Sequence, residues 1–163
     1  MLNWKLKALE LDHQAMLDIL RMYCWIFKLS DRFFSKYDIT DAQFAVLMTL
    51  SVSGESGLSQ QELSEYLVVH KSNITGLIDR LKKKGYVQRK PQPNDRRVNR
   101  IVLAEKGIGI LKKVEKPYLD EVQRMMGKLT ILEKMTLRKT AEKITKYANV
   151  MLQPGSNWPA PAK

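Results

Sequence analysis

The chain has 163 residues, 44% of them apolar and 28% charged, and carries a net charge of +11. That length suffices for one packed core, and no run of eighteen apolar residues exists to span a membrane. The single cysteine, Cys24, excludes an internal disulfide framework. The charge is unevenly spread. Residues 1–69 carry six Lys/Arg against nine Asp/Glu, residues 70–100 carry ten against two, and residues 101–163 carry twelve against six. A middle segment at +8 points to a polyanion site there. The N-terminus, with acids and no small-residue cleavage site, is predicted not to be a secretory signal, so a reducing, cytoplasmic setting is expected.

In chain order, residues 14–37 are predicted to form a long helix. Ile19, Tyr23, Ile26, Leu29, Phe33 and Tyr37 make one apolar row and Leu20, Cys24, Phe27 and Phe34 a second. Two rows need two partners, the helix's own domain and another subunit. Thr40 with Gln43 is a capping box opening a helix over 41–52, with Phe44, Leu47 and Met48 inward. After a loop at 53–57, Ser59 with Glu62 is a second capping box, starting a short helix with Leu63, Tyr66 and Leu67 inside. A fourth helix over 71–84 places Ile74, Leu77, Ile78 and Leu81 on one face and ends at Gly85. Strands at 86–89 and 99–103 flank a two-proline loop at 90–95, which reads as a hairpin. Residues 105–128 form a helix that Pro117 is expected to kink. Thr130 with Glu133 caps the last helix, striped by Leu137, Ala141, Ile144, Ala148 and Met151. The tail, 153–163, holds three prolines and is expected to be loosely attached.

Helix, turn, helix and basic hairpin together make a winged helix-turn-helix, whose second helix can enter the major groove of DNA. With the apolar row inward, Ser72, Gly76, Asp79 and Lys83 lie opposite, flanked by Thr75 and Arg80. Ser72, Asn73, Thr75 and Gly76 are the candidates to meet bases; Lys71 and Arg80 are placed at phosphates. Asp79 is expected to pair with Lys83 one turn on. The hairpin tip, Asp95-Arg96-Arg97 with Arg100 behind it, suits the narrow, negative minor groove of A·T-rich DNA. There Asp95 would hold the Arg97 guanidinium by charge-assisted hydrogen bonds. An amphipathic helix with a wet face and a solvated charged turn are the alternatives for these two features taken singly.

The run from Asn73 to Arg89, NITGLIDRLKKKGYVQR, resembles the recognition helix and first wing strand of MarR-family regulators. Pro93-Asn94-Asp95-Arg96-Arg97 resembles the wing signature that follows, and Leu103-Ala104-Glu105-Lys106-Gly107 the start of the next helix. The resemblance covers residues 12–152. It implies a mainly α fold with a small β-hairpin wing, in which the N- and C-terminal helices form a dimerisation region. It implies sequence-specific binding of a homodimer to palindromic DNA as a transcriptional repressor, with release by a small aromatic or anionic effector. The organisation expected is a dimerisation helix at 1–39, the DNA-binding region at 40–104, dimerisation helices at 105–152 and the tail. Three positions depart from the pattern: Gly76 replaces a basic residue, Ala104 replaces a capping threonine, and Pro117 interrupts the long helix.

Trp25, Phe33, Phe34, Tyr37 and Tyr66 are the candidates to line an effector cleft, with core or interface packing as the other reading. Cys24 is the candidate for a redox signal, since some relatives sense peroxides through a cysteine near the start of this helix. A buried structural cysteine at the Leu20/Phe27 spacing is the alternative. His13 and His70 are far apart, and no metal-ligand spacing, phosphate loop, nucleophile elbow or cofactor fingerprint occurs, so neither catalysis, metal nor cofactor is expected. Two other readings remain open: a sequence-independent nucleic-acid packaging protein, and a peroxide-sensing regulator acting through Cys24.

Overall fold

The computed structural model of the chain describes residues 9–92 and 95–153; for Leu9, Lys71, Gln92 and residues 95–98 it describes the backbone alone. The elements run α1 (Leu9–Phe34), a 3-10 turn (Ser35–Tyr37), α2 (Asp41–Ser53), a second 3-10 turn (Gly54–Ser56) and α3 (Gln60–Tyr66). They continue with α4 (Lys71–Lys83), β1 (Val87–Gln92), β2 (Asp95–Leu103), α5 (Glu105–Met126) and α6 (Ile131–Met151). The chain divides into two compact units, Met1–Lys116 and Pro117–Lys163, described separately. No helix among the described residues is long and apolar enough to cross a membrane.

The first unit is the winged helix-turn-helix that the pattern predicts. Its core is Phe34, Ile39, Phe44, Val46, Leu47, Leu50, Leu63, Ile74, Ile78, Leu81, Ile101 and Val114, all buried. Both predicted capping boxes of this unit form. Thr40 Oγ1 accepts from the Gln43 N–H and Gln43 returns to the Thr40 N–H; Ser59 and Glu62 do the same for α3. Each cap satisfies donors that the first helical turn leaves unpaired, for about 1 kcal/mol. Gly85, at φ 74°, turns the chain out of α4, a conformation that a side chain disfavours.

Several boundaries differ from expectation. The first helix is not one run to residue 37: it is already helical at Leu9, the first described residue, and a 3-10 turn follows Phe34 and ends at Asp38 in the left-handed region. The hairpin loop expected at 90–95 is shorter, because β1 continues through Pro91 to Gln92. Proline is tolerated there because β1 is an edge strand: the other side of the hairpin is covered by the bridge between Leu58 and Ile101. Pro93 and Asn94 of the predicted wing signature lie outside the described residues. Tyr66, expected inside, is 71% exposed. The seven-residue α3 buries only Leu63 before it ends. The turn to α4 then passes through Val68 at φ 52°, a strained conformation for a β-branched residue.

The wing joins α5 through one carbonyl. Tyr86 O accepts from the Ala104 N–H at 2.9 Å. A Cβ on buried Gly107 would sit 2.0 Å from the same oxygen. No side chain at residue 104 is needed to tie this junction, since the backbone does it. Beyond Gly107, α5 buries Leu111 and Val114 and leaves Ile108 exposed.

In the second unit α5 stays helical through Pro117 and ends at Met126. The Thr130/Glu133 capping box forms as predicted. None of α6 is buried: Ile131, Leu132, Met135, Leu137, Ile144, Tyr147, Val150 and Met151 are all exposed. In the first unit α1 is similar, with Leu11, Met16, Leu20, Tyr23, Trp25, Phe27 and Leu29 exposed and only its last turn reaching the core. The tail from residue 154 lies outside the described residues.

Gly107→Ala should cost about 1–3 kcal/mol, because a methyl group cannot share the space of a backbone oxygen and the helix must shift. Thermal unfolding should show a fall of several degrees in Tm. An unchanged Tm would mean that α5 does not approach Tyr86 this closely.

Candidate nucleic-acid interface

The front of α4 is defined by its back. Ile74, Leu77, Ile78 and Leu81 are at most 7% exposed. Ser72, Asn73, Thr75, Asp79, Arg80 and Lys83 are consequently exposed, and Gly76 is half-buried. The first turn contains no acid, so the positive end of the helix dipole is uncompensated there. His70 caps it: its Nδ1 accepts weakly from the Ser72 N–H at 3.5 Å and lies 2.9 Å from Ser72 Oγ. Thr75 Oγ1 donates to Gln60 Oε1 at 3.1 Å, which ties the middle of α4 to the start of α3. A Cβ on Gly76 would meet only Arg80 Nη2, at 3.9 Å, so the front of the helix has room at this point. The side chain of Lys71 lies outside the described residues.

The wing stands beside this helix, and its antiparallel register runs from Val87 opposite Leu103 to Pro91 opposite Asn99, with an irregularity before Gln92 pairs with Asp95. Asp95, Arg96 and Arg97 open β2, but their side chains, and therefore the expected Asp95–Arg97 pairing, lie outside the described residues. Arg100 is not a tip residue. Its Nη1 bonds Glu62 Oε2 at 2.5 Å and its Nε bonds Ser56 O at 3.2 Å, so it braces the root of the wing. Lys90 stands directly opposite Arg100, a like-charge pairing that is unfavourable unless one charge is compensated. Glu62 provides that compensation.

Asp79 does not pair with Lys83 as expected. Its Oδ1 accepts from Arg89 Nη2 of β1 at 2.8 Å. A planar guanidinium brought over by the turn at Gly85 competes better for the carboxylate than a flexible lysine on the same helix. Lys84, at the other end of α4, bonds both the carbonyl and Oδ2 of Asp38. Gln60, Glu62, Lys84 and Arg89 were not among the predicted site residues. Their partners lie 10 to 46 residues away, beyond any helical spacing, and only the acid-base complementarity of Asp79 and Arg89 hinted at one of them.

The aromatic set does not make one cleft. Phe33, Phe34, Tyr37 and Phe44 meet in edge-on and tilted contacts at the junction of α1 and α2, with centroids 4.7–5.3 Å apart along the chain of contacts, and Phe34 is wholly buried. Trp25 is exposed under Lys28 Nζ, and Tyr66 is exposed at the end of α3. A separate groove of about 500 Å³ opens in the first unit between α2, β2 and α5. Met48, Leu50, Val102, Leu103, Ile108 and Leu111 give it apolar walls, and Lys90, Lys112, Glu55 and Glu115 its charges. These come from three distant segments with ordinary core spacing, which left no signal in the sequence. Cys24 is exposed, not buried, in the isolated chain. No cluster of metal-ligating side chains occurs among the described residues.

Known proteins share this architecture. The sequence pattern that defines the MarR family matches residues 37–98. The multiple antibiotic resistance protein MarR of Salmonella typhimurium is 33% identical over 118 residues, 72% of this chain and 81% of that protein. The crystal structure of Sco3205, a MarR family transcriptional regulator from Streptomyces coelicolor in complex with DNA, superposes with a TM-score of 0.76 at 21% identity, covering 90% of this chain and 91% of that one. The organohalide-sensing transcriptional regulator RdhR-CbdbA1625, in its 2,4-dichlorophenol-bound form, superposes with a TM-score of 0.81 at 22% identity, covering 98% and 94%. At these identities the two structures establish the fold.

Glu62 gives a pH prediction. The Ser59 backbone N–H, then the Ser59 hydroxyl and Arg100, hold its carboxyl below its usual value of 4.5 despite some desolvation. Because the folded value is the lower one, the ionised group's stabilisation is complete above pH 4.5 and is lost as pH falls through the depressed value. Glu62→Gln should therefore melt a few degrees lower at pH 7, and the gap should close as pH falls through the depressed value of the folded state. A gap independent of pH would mean that charge at Glu62 is irrelevant to the fold.

Proposed function

This chain belongs to the MarR family of winged-helix transcriptional regulators, and from that premise we propose that it is a sequence-specific repressor acting as a homodimer on palindromic DNA. The observation that carries the reading is the front of α4: small polar side chains and a glycine over a buried apolar row, beside an arginine-opened hairpin, in the most cationic segment of the chain. The major groove admits such a helix. Ser72, Asn73, Thr75 and Gly76 meet base edges or come close to them, Lys71 and Arg80 meet phosphates, and Arg97 with Arg96 enters the adjacent minor groove.

The dimer is inferred from the rows of exposed apolar side chains on α1 and α6, which a partner helix would cover. A two-fold pair presents two recognition helices about 34–36 Å apart, one turn of DNA, and so reads a palindrome. Bound there, it blocks access to a promoter. The groove beside α5 takes the effector, a small aromatic or anionic molecule. Its walls are apolar, its two lysines, Lys90 and Lys112, are matched by Glu55 and Glu115, which favours an aromatic molecule, and a structural neighbour is described with 2,4-dichlorophenol. A ligand wedged against Val102 and Leu103 touches the root of the wing, and a dimer bound across two half-sites is sensitive to small changes of geometry.

The test is selection of bound fragments from random duplexes, followed by titration with excess random competitor at several salt concentrations. A repressor keeps its preference under competition, with a salt slope of about −0.9 per neutralised phosphate. Loss of preference would instead favour the packaging protein, and a monomer in sedimentation would remove the palindrome. Two variants refine the interface. Arg97→Ala should weaken binding by about 1–3 kcal/mol, most on sites with A·T-rich flanks. Gly76→Ala should stabilise the free protein by about 0.5–1 kcal/mol through helix propensity, yet lower affinity for the selected site. Unchanged affinity would take Gly76 out of the contact face.

A further inference from the structure

An acid on the DNA-facing side of a recognition helix is a liability. Asp79 is one: its side chain is 57% exposed on the front of α4, and by charge alone it repels phosphates. Its Oδ1 accepts from Arg89 Nη2 at 2.8 Å, on the first wing strand. As an exposed ion pair this contributes little to folding, so stability is not a sufficient account of it.

The geometry supplies one. Strand β1 leaves the core at Val87, which is 3% exposed. Arg89 stands two residues out and Gln92, the last residue of the strand, five residues out. At about 3.3 Å per residue these are lever arms of about 7 and 17 Å from the buried pivot. A sideways movement of 1 Å at Arg89 is therefore magnified to about 2–3 Å at the tip, enough to break hydrogen bonds that tolerate only a few tenths of an ångström. Strand β2 has its own pin, since Arg100 bonds Glu62 and Ser56 O. The two strands are thus tied separately, β2 to the start of α3 and β1 to α4. DNA covering the pair would exclude water from it and strengthen it further.

We propose that Asp79 and Arg89 are positioning residues that fix the tilt of the wing against the recognition helix, so that flank reading by the wing is aligned with core reading by α4. This rests on the DNA-binding reading above and adds a specificity role to two residues that need touch no base. The charge effect and the positioning effect of Asp79 have opposite signs, which makes the proposal sharp.

The experiment measures affinities of wild type, Asp79→Asn and Arg89→Gln for two duplexes with the same selected core, one flanked by A·T pairs and one by G·C pairs. Asp79→Asn should lose about three- to tenfold on the A·T-flanked duplex, with little change on the other, so that flank preference collapses. Arg89→Gln, which shifts net charge the opposite way, should collapse the preference as well. Adding Arg97→Ala to Asp79→Asn should cost nothing more, because both act through the wing. Tighter binding of Asp79→Asn to both duplexes with the flank preference intact would overturn the proposal, as would additive losses in the double variant. A wild type that binds neither duplex would instead overturn the repressor reading beneath it.

Discussion

Burial of Ile74, Leu77, Ile78 and Leu81 sets the rotation of α4 about its own axis, and the chemistry of its front follows from that rotation. Each such side chain contributes about 1.5–3 kcal/mol when removed from water, whereas an exposed ion pair contributes about 0–1 kcal/mol. The apolar row therefore decides which way the helix faces, and polar contacts act only within that choice. With the row inward, Ser72, Asn73, Thr75 and Arg80 have nowhere to go but outward. The helix's positive end is capped by His70 and free of acids in its first turn.

The weaker polar contacts take over where burial stops. A two-stranded hairpin has too little apolar surface to hold its own orientation. Here its root is tied by Arg100 to Glu62, by Arg89 to Asp79, and by the Leu58–Ile101 bridge. Glu62 serves twice, capping α3 at the Ser59 N–H and compensating Arg100. The helix-turn-helix and the wing thus share a residue, and the start of α5 is joined to the same region by the Tyr86 carbonyl. The groove between α2, β2 and α5 is walled by the residues next to these ties, Val102 and Leu103 among them.

The second consequence of burial is what it leaves uncovered. In the first unit only the last turn of α1 reaches the core, and in the second unit α6 buries nothing. Exposed apolar side chains arranged in helical rows are unfavourable in water, and the dimer proposed above is the arrangement that would cover them. Cys24, set in one of these rows, is exposed for the same reason as its neighbours Tyr23, Trp25 and Phe27.

Much of this could be read from residue order, because it depends on short-range regularities. The three capping boxes, the inward row of α4, the stop at Gly85 and the hairpin all rest on spacings of one to four residues, which local backbone geometry translates directly into structure. The tertiary fold alone decided matters that depend on distant segments meeting. Asp79 turned to Arg89 rather than Lys83, Arg100 found a partner in Glu62 that no local spacing indicates, and Tyr66 was left outside although its spacing placed it within. Of the aromatic residues only Phe34 and Phe44 joined the core, while the groove formed elsewhere from ordinary aliphatic positions. The physical reason is common to all of these: periodicity specifies which face of an element is apolar, but a charge or a cavity is defined by whichever other element arrives opposite it, and that is settled only when the chain packs.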